Sequence, residues 1–162
     1  MSRVFFASDL HLGHTNMIQK YRGFSNNEDY FTYLKARWNK VVTKRDKVFI
    51  TGDITMEKTK QYPLLNELNG NKVFVLGNHD PIQKVGDSLL NYGSIAGMVK
   101  YKGFWITHAP IHPSELRGKR NIHGHTHARH IKRFGLWRDS RYLNVSLDVI
   151  DFKPIEFGEL IN

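Results

Sequence analysis

The chain has 162 residues, of which 40% are hydrophobic and 24% are charged, and these proportions are ordinary for a globular protein. The length predicts a single domain, residues 1–162, large enough to bury a sizeable core. Cysteine is absent, which excludes disulfide bonds and thiolate metal sites, so a transition metal would need nitrogen and oxygen ligands. The 24 Lys and Arg residues against 15 Asp and Glu give a net charge of +9, which favours anionic ligands such as nucleotides or nucleic acid.

Neither a membrane segment nor a targeting segment is visible in the sequence. No apolar stretch is long enough to span a bilayer, and the chain passes from Met1-Ser2-Arg3 into a strand pattern rather than a signal peptide. These features predict a cytoplasmic protein that makes no contact with membranes. No segment indicates an obligate protein partner.

The first predicted elements are a strand and an amphipathic helix. The strand covers residues 3–8, and a short turn or helix is expected over 16–21. Ser25 and Glu28 have the spacing of a capping box, in which each side chain satisfies a backbone N–H at the start of a helix. That helix carries apolar residues at helical spacing that we assign to the core: Phe31, Leu34, Trp38 and Val41.

The middle of the chain alternates between strand and helix. Strands are predicted over 47–51 and 72–76, where apolar runs end abruptly at a glycine. Between them the pattern predicts a helix over about 57–68, although Pro63 argues for a later start because proline removes a helical hydrogen bond. Helical crossovers of this kind imply that the strands they connect are parallel.

The second half of the chain has a different character. Residues 81–97 contain Pro and Gly at turn-like intervals and are predicted to be loop with one short helix near 87–91. Four strands are predicted after them: 98–101, 103–107, about 119–123 and 141–147. The hairpin turn at 101–103 implies an antiparallel pair. We therefore predict an α/β fold of mixed α+β character, in which two mixed β-sheets pack face to face with helices outside.

Polar side chains follow five of the apolar runs at the points where the runs end. Each of these side chains alone has an ordinary explanation as a helix cap, a turn residue or a structural histidine. Together, carboxylate, carboxamide and imidazole groups are the ligands expected for a two-metal hydrolytic site, in which one carboxylate bridges ions roughly 3.5–4 Å apart. The candidate metal ligands are Asp9, His11, Asp53, Asn78, His108, His125 and His127.

The order of these motifs resembles that of the calcineurin-like metallophosphoesterases, and especially that of the small single-domain phosphoesterases of bacteria and bacteriophages. The motifs are Asp9-x-His11, Gly52-Asp53, Gly77-Asn78-His79-Asp80, His108 and Gly124-His125-x-His127. Each motif alone is weak, but all of them in this order are specific. The resemblance implies the family's four-layer fold, a sandwich of two mixed sheets flanked by helices.

The resemblance also implies a role for each motif residue. The first metal would be held by Asp9, His11, Asp53 and His127, and the second by Asp53 as the bridge, Asn78, His108 and His125. His79 matches the family's catalytic histidine, placed beside the second metal to donate a hydrogen bond or proton to the phosphoryl group and the leaving oxygen. Asp80 either orients His79 or forms the turn. Two divalent cations are implied, with manganese favoured over iron, zinc or nickel.

The implied reaction is hydrolysis of a phosphoester by a hydroxide that bridges two metals at a dinuclear centre. We expect a substrate of nucleotide type, either small or part of a nucleic acid. A phosphodiester is favoured over a phosphomonoester because an open, basic site suits an extended anion. The segment 52–56 lacks the second aspartate and the arginine of the protein phosphatases, and the tyrosine ligand of the purple acid phosphatases. Both of those subgroups are therefore disfavoured.

Further polar residues lie near the motifs. His14, Asn16 and Arg22, together with His112, are candidates for substrate contact, and surface or structural roles suit them equally well. His123 and His130 are expected to frame the histidine cluster without binding metal. The segment 117–141 is densely basic, which favours either a rim that attracts phosphate or a solvated surface.

Two other functions are compatible with parts of this pattern. A protein that binds nucleic acid or acts as a scaffold could retain the fold without turnover, but such a protein would not need His79. A metal oxidoreductase is a remote alternative, because the sequence has no feature that tunes a redox centre. Intact motifs throughout favour the hydrolase.

Overall fold

The computed structural model of the chain describes residues 2–56, 59–80 and 89–162. Eleven strands form in these residues: β1 (Val4–Ala7), β2 (Lys47–Ile50), β3 (Asn71–Val75), β4 (Gly93–Ala96), β5 (Val99–Tyr101), β6 (Phe104–Ile106), β7 (Arg120–His123), β8 (Lys132–Arg133), β9 (Trp137–Arg138), β10 (Tyr142–Asn144) and β11 (Ile155–Glu156). The helical segments are a π-helical turn (Met17–Tyr21), α1 (Asn27–Val41), two 3₁₀ helices (Thr59–Glu67 and Pro113–Leu116) and α2 (Phe157–Ile161).

The strands form two mixed sheets and a separate hairpin. The first sheet has the order β11-β1-β2-β3-β4 and is parallel except for β11. The second sheet has the order β10-β7-β6-β5, in which only the β5–β6 pair is antiparallel. Strands β8 and β9 pair with each other in a two-stranded sheet. The parallel first half and the antiparallel turn at 101–103 are therefore as predicted.

The first sheet is buried on both faces, and its alternating side chains divide the core in two. In β1, Phe5 and Ala7 join the cluster that packs on α1, whereas Phe6 joins the cluster between the two sheets. Strand β2 divides in the same way, with Val48 and Ile50 on the helix side and Phe49 on the sheet side. This period-two alternation explains how a short apolar strand serves both layers. It confirms the predicted pair of face-to-face mixed sheets flanked by helices.

Helix α1 begins one residue later than the predicted capping box. The side-chain oxygen of Asn26 accepts the backbone N–H groups of Glu28 and Asp29, both at 2.8 Å, so Asn26 is the N-cap and the predicted role of Ser25 is wrong. Asparagine caps as well as serine does, and the two residues are adjacent, so the sequence alone could not separate them. The predicted core stripe is confirmed in register, since Leu34 and Trp38 are fully buried.

Several elements differ from the predictions. Residues 93–96 form an edge strand of the first sheet rather than loop. Residues 87 and 88 of the predicted short helix near 87–91 lie outside the described residues. The predicted helix over 57–68 is a 3₁₀ helix that contains Pro63, and residues 57 and 58 are not described. The hairpin of β8 and β9, strand β11 and helix α2 were not predicted. Across the described ranges, no helix is long and apolar enough to cross a bilayer.

The carboxylate of Asp46 ties the start of β1 to the turn that precedes β2. Its Oδ1 accepts the backbone N–H of Arg3 at 2.8 Å, and its Oδ2 accepts both the N–H and the hydroxyl of Thr43 at 2.8 Å. Burial alone would raise the pKa of Asp46, but the hydrogen bonds from Thr43 and Arg3 outweigh it and lower the pKa to about 2. The folded state therefore favours the ionised carboxylate.

We expect Asp46→Asn to lower the free energy of unfolding by roughly 1–3 kcal/mol at pH 7. Because the pKa of Asp46 in the folded protein lies below its ordinary value of 3.8, this stabilisation is present above pH 4 and disappears as the pH falls towards 2. Urea unfolding of both proteins at pH 7 and pH 3 measures the difference, which should shrink at the lower pH. The exposed control Glu159→Gln should change stability by less than about 0.5 kcal/mol. An Asp46→Asn penalty that is the same at both pH values would contradict this account.

Candidate metal centre

The candidate ligands follow the carboxyl ends of strands that meet at one edge of the sandwich. Asp9 and His11 follow β1, Asp53 follows β2, and Asn78 follows β3 in the first sheet. His108 follows β6, while His125 and His127 follow β7 in the second sheet. A bridge between Ser8 and Ser146 joins the two sheets at this edge. Carboxyl ends of parallel strands are the usual position of ligand sites in α/β proteins.

Two groups of ligand atoms form at this edge. The first contains Asp9, His11 and His127, and the second contains Asp53, His108 and His125, with the ligand atoms of each group within 4.8 Å of one another. In the first group, Oδ1 of Asp9 is 4.0 Å from Nε2 of both His11 and His127. The fold therefore gathers residues that are more than a hundred positions apart in sequence.

Asp53 lies between the two groups. Its Oδ2 is 3.8 Å from Nε2 of His11, and its Oδ1 is 3.4 Å from Nε2 of His108. Each oxygen of the carboxylate thus faces a different group. This is the arrangement that a carboxylate shared between two cations requires.

Asn78 completes the second group. Its Oδ1 is 3.0 Å from Nε2 of His108 and 3.0 Å from Nδ1 of His125, and those two nitrogens are 3.1 Å apart. With Asn78 included, the structure brings together all seven side chains predicted as metal ligands. Two ligand atoms on one cation lie about 3 Å apart when their metal–ligand bonds are about 2.0–2.2 Å long and roughly perpendicular. The separations in the second group match this spacing.

The hydrogen bond that His108 makes indicates which of its ring nitrogens faces the other candidate ligands with a lone pair. Its Nδ1 is 2.8 Å from the carbonyl oxygen of Thr51, which can only accept, so Nδ1 carries a proton and Nε2 presents a lone pair in the neutral imidazole. That lone pair faces Oδ1 of Asn78 and Oδ1 of Asp53. Acceptors held this close repel one another unless a cation lies among them. The donor set of the second group therefore fits a metal ion.

His11 gives a second indication in the first group. Both of its ring nitrogens are buried and have no hydrogen-bond partner among the described residues. Burial, followed by the charge of Arg22 and the nearby imidazoles, lowers the pKa of His11 to about 2. The ring is therefore neutral at physiological pH and has a lone pair to offer. A buried unpartnered imidazole is costly in a protein that binds nothing at that position.

His127 is held by a carboxylate that the sequence reasoning missed. Its Nδ1 is 2.8 Å from Oδ2 of Asp148. The same carboxylate accepts two hydrogen bonds from Arg22, one from Nε to Oδ1 at 2.9 Å and one from Nη2 to Oδ2 at 3.0 Å. Burial alone would raise the pKa of Asp148, but the hydrogen bonds from His127 and Arg22 hold it well below its usual range. The ionised Asp148 thus accepts a hydrogen bond from Nδ1–H, which raises the pKa of His127 and places its Nε2 on the side of Asp9. Asp148 directly follows the predicted strand 141–147, so the pattern that identified Asp9 and Asp53 could have found it.

Arg22, a candidate for either substrate contact or a structural role, makes extensive contacts within the protein. Its guanidinium is almost fully buried, with 1% of the side chain exposed. Besides Asp148, its N–H groups donate to the carbonyl oxygens of Asp9 and Leu10 and to the hydroxyl of Tyr30. All five donors are therefore committed to protein acceptors, which supports the structural alternative for Arg22.

Two further carboxylates are held by hydrogen bonds at the edge of the sheet. The Asp9 carboxylate accepts the N–H of His125 at 3.0 Å and the hydroxyl of Ser146 at 2.7 Å. The Asp80 carboxylate accepts three backbone N–H groups, those of Asp53, Ile54 and Gly77, at 2.8–3.0 Å. Asp80 therefore fixes the turn and the backbone of Asp53, and it is the turn alternative for Asp80 that the structure supports.

The remaining predicted site residues occupy varied positions. The N–H of His79 donates to Oδ1 of Asp53 at 3.1 Å, and its ring lies 5.9 Å from that of His11. The ring of His14 is 5.6 Å from that of His11, and His14 shares a small depression with Asn16. His112 is exposed and accepts the N–H of Ser114 at the start of a 3₁₀ helix. The roles of these four residues stay predictions.

The backbone at the site is strained. Five of the seven candidate ligands have positive φ angles of 48–67°: Asp9, His11, Asp53, His125 and His127. Such conformations are uncommon for residues other than glycine, and Asp and His tolerate them better than most. Strained residues that cluster in this way are typical of functional sites.

A groove of about 870 Å³ opens beside the ligand groups. One wall is the segment 125–129, and the other includes Met17, Tyr21 and Phe152. A volume of this size accommodates a small organic ligand. The groove therefore offers space for a substrate directly against His125 and His127.

Gly124 lies where the two sheets pack closely at this edge. A Cβ at this position would clash with the side chain of Ser8 and lie 2.5 Å from Oδ2 of Asp9. We expect Gly124→Ala to cost about 1–3 kcal/mol in stability and to weaken Mn²⁺ binding, since Asp9 must move. Gly97→Ala, where a Cβ meets nothing within 4 Å, is the matched control. Thermal unfolding and calorimetric titration with Mn²⁺ check this expectation, and equal metal affinity in the two variants would refute it.

Comparisons with known proteins agree with this architecture. A sequence model of the family described as calcineurin-like phosphoesterase matches residues 2–154. An uncharacterized protein of Methanocaldococcus jannaschii is 34% identical over 170 residues, which cover 99% of this chain and 90% of that protein. The gene 66 protein of Mycobacterium phage L5 is 29% identical over 191 residues, with 91% of this chain and 87% of that protein covered.

Two solved structures have a similar fold. A protein of unknown function from Aquifex aeolicus matches with a TM-score of 0.72 at 24% identity, covering 98% of this chain and 97% of that one. A nuclease of Pseudomonas putida matches with a TM-score of 0.55 at 19% identity, covering 84% of this chain and 66% of that one. At these identities the likeness concerns the fold alone. The family match over residues 2–154 carries the assignment, and the chain belongs to the calcineurin-like phosphoesterase family.

Proposed function

We propose that this protein hydrolyses phosphoesters of nucleotide type, with phosphodiesters preferred, at a centre of two divalent cations. The observation that carries the proposal is the position of Asp53, whose two carboxylate oxygens face two separate groups of ligand atoms. Family membership supports hydrolysis of a phosphoester bond. The all-nitrogen-and-oxygen donor set suits manganese, which we favour over iron, zinc and nickel.

The proposed ligands divide between the two cations. Asp9, His11, Asp53 and His127 would hold the first, and Asp53, Asn78, His108 and His125 would hold the second. When bound, the cations would neutralise the phosphoryl oxygens and activate a water molecule as the nucleophile. The hydrogen bonds from His108 to Thr51 and from His127 to Asp148 keep each ring in the tautomer that this role needs.

His79 is the proposed catalytic residue that does not bind metal. Its backbone N–H is anchored on Asp53, and its ring lies beside that of His11, so the imidazole is held next to the shared carboxylate. From this position it would donate a hydrogen bond or proton to the phosphoryl group and the leaving oxygen. The leaving group itself would extend into the groove beside His125 and His127.

The first expectation is metal-dependent turnover of a simple diester. The purified protein with Mn²⁺ should hydrolyse bis-p-nitrophenyl phosphate, and excess chelator should abolish the reaction because both ligand groups would be emptied. Release of p-nitrophenolate measures the rate. A panel of nucleotides, cyclic nucleotides and short oligonucleotides then ranks the substrates. A fully metal-loaded protein that hydrolyses no phosphoester would refute the proposed function.

The second expectation concerns His79. The variant His79→Asn should lower kcat by roughly 10²–10⁴-fold while the number of bound Mn²⁺ ions stays the same, because the imidazole acts on the substrate and not on the metal. The exposed residue His130 provides a matched control, and His130→Asn should keep full turnover. Metal content measured by atomic emission alongside the kinetics separates the two effects. Loss of metal in His79→Asn would show that the assigned role is wrong.

A further inference from the structure

The hairpin formed by residues 132–138 exposes an unusual amount of apolar surface. Every residue in it is exposed, including Phe134 at 80%, Leu136 at 68% and Trp137 at 66%. None of these side chains belongs to either core cluster. Three large apolar groups on seven consecutive exposed residues point to a binding surface, because single exposed apolar residues are ordinary but clusters are not.

The same hairpin carries positive charge in an unfavourable arrangement. Lys132 lies directly opposite Arg138 in the β8–β9 pair, and like charges at opposed positions destabilise a strand pair. Within the described ranges, no carboxylate lies within ion-pairing distance of either residue. The next acid in the chain, Asp139, is buried and paired with Arg141 at 2.6 Å. An anionic ligand would relieve this repulsion.

Aromatic and basic groups alternate along the hairpin. The guanidinium of Arg133 lies 5.3 Å from the ring centroid of Phe134, and Arg133 is opposed across the strands by Trp137. Flat aromatic surfaces beside cations are the elements with which proteins bind single-stranded nucleic acid: bases stack on the rings and phosphates contact the cations. An ordinary protein partner would not need four basic residues, Arg129, Lys132, Arg133 and Arg138, within ten positions.

The hairpin is connected to the candidate metal centre by a short loop that hydrogen bonds hold in part. The loop that carries His125 and His127 runs through Arg129 directly into β8. The side-chain amide of Asn144 fixes this loop by donating to the carbonyl oxygens of His127 and Arg129, at 2.6 and 3.0 Å. Arg129 also lines the groove beside the ligand groups. A nucleic-acid strand bound to the hairpin would therefore lead towards the groove.

We propose that the hairpin 132–138 is a binding site for single-stranded nucleic acid. Phe134 and Trp137 stack on bases, while Lys132, Arg133 and Arg138 contact phosphates. The inference that the bound strand is also the substrate rests on the proposed phosphoesterase function. The binding itself does not rest on that function, because it uses no residue of the metal centre.

The test measures binding in the absence of metal, so that no strand is cleaved. Fluorescence anisotropy of a labelled oligo-dT of about 20 nucleotides, in excess chelator and low salt, gives the dissociation constant. Phe134→Ala with Trp137→Ala should weaken binding by at least about tenfold, since each stacked base is worth roughly 5- to 150-fold. Lys132→Gln with Arg138→Gln should also weaken binding, and should reduce the slope of log K against log salt concentration by about 1.4.

The matched control removes the same charge elsewhere. Lys44→Gln with Arg45→Gln changes two exposed basic residues in the turn before β2, at the opposite edge of the first sheet from the ligand groups. This pair should leave both the affinity and the salt slope close to those of the wild-type protein. Trp137 is the one exposed tryptophan of the chain's three, so base stacking should quench the protein's fluorescence. Trp137→Phe should abolish the quenching while largely keeping the affinity.

The proposed nucleic-acid binding and the proposed phosphoesterase function are tested by separate measurements. Hairpin variants should hydrolyse bis-p-nitrophenyl phosphate at the wild-type rate, and His79→Asn should bind oligo-dT with wild-type affinity. Equal oligo-dT affinity in the hairpin variants and the wild-type protein would overturn the proposal. A wild-type protein that sediments as a dimer, with hairpin variants that sediment as monomers, would also overturn it. So would binding of the wild-type protein to vesicles containing phosphatidylserine in preference to oligo-dT. The first of those results assigns the surface to a second copy of the chain, and the second assigns it to a lipid surface.

Discussion

The crowding of lone pairs around Asp53 is the constraint on which the rest of this edge of the molecule depends. Oxygen and nitrogen atoms that can act as acceptors, from five strand ends, face one another at 3.0–4.0 Å. Such an arrangement is unfavourable in an isolated protein and favourable around cations. The fold must therefore hold these groups together before the cations can stabilise them. Backbone strain is consistent with this, because positive φ angles occur at Asp9, His11, Asp53, His125 and His127.

Hydrogen bonds from neighbouring residues hold the candidate ligands in these positions. Thr51 fixes His108, Asp148 fixes His127, Ser146 fixes Asp9, and Asp80 fixes the backbone on both sides of Asp53. Arg22 belongs to the same set, because it connects Asp148 to the backbone of Asp9 and Leu10. These groups are buried or nearly so, where hydrogen bonds to charged groups are strongest and where an unmatched partner is most costly. Ligand geometry and fold stability are consequently maintained by the same contacts.

Much of the site could be predicted from the sequence because its ligands obey one local rule: an apolar run ends and a polar side chain follows it. That rule needs no tertiary information, and it identified all seven candidate ligands that the structure gathers. The same rule could have identified Asp148, but not its pairing with His127 and Arg22. Which acceptors surround a guanidinium depends on residues up to 126 positions away. The strand Gly93–Ala96 was missed for a different reason. It is short and only partly buried, so it lacks the alternation that identifies a strand.

The proposed pair of cations would not by itself select a substrate, because the cations and His79 would contact only the phosphoryl group and the atoms bound to it. Selection must therefore come from residues outside the ligand groups. Two features adjoin the centre through the same loop: the groove lined by Tyr21 and Arg129, and the exposed hairpin 132–138. The net charge of +9 attracts any phosphate ester, but only the basic residues of the hairpin are placed beside exposed aromatic rings on the segment that leads from the ligands. Recognition of a chain of nucleotides, rather than of a single phosphate, is what this arrangement favours.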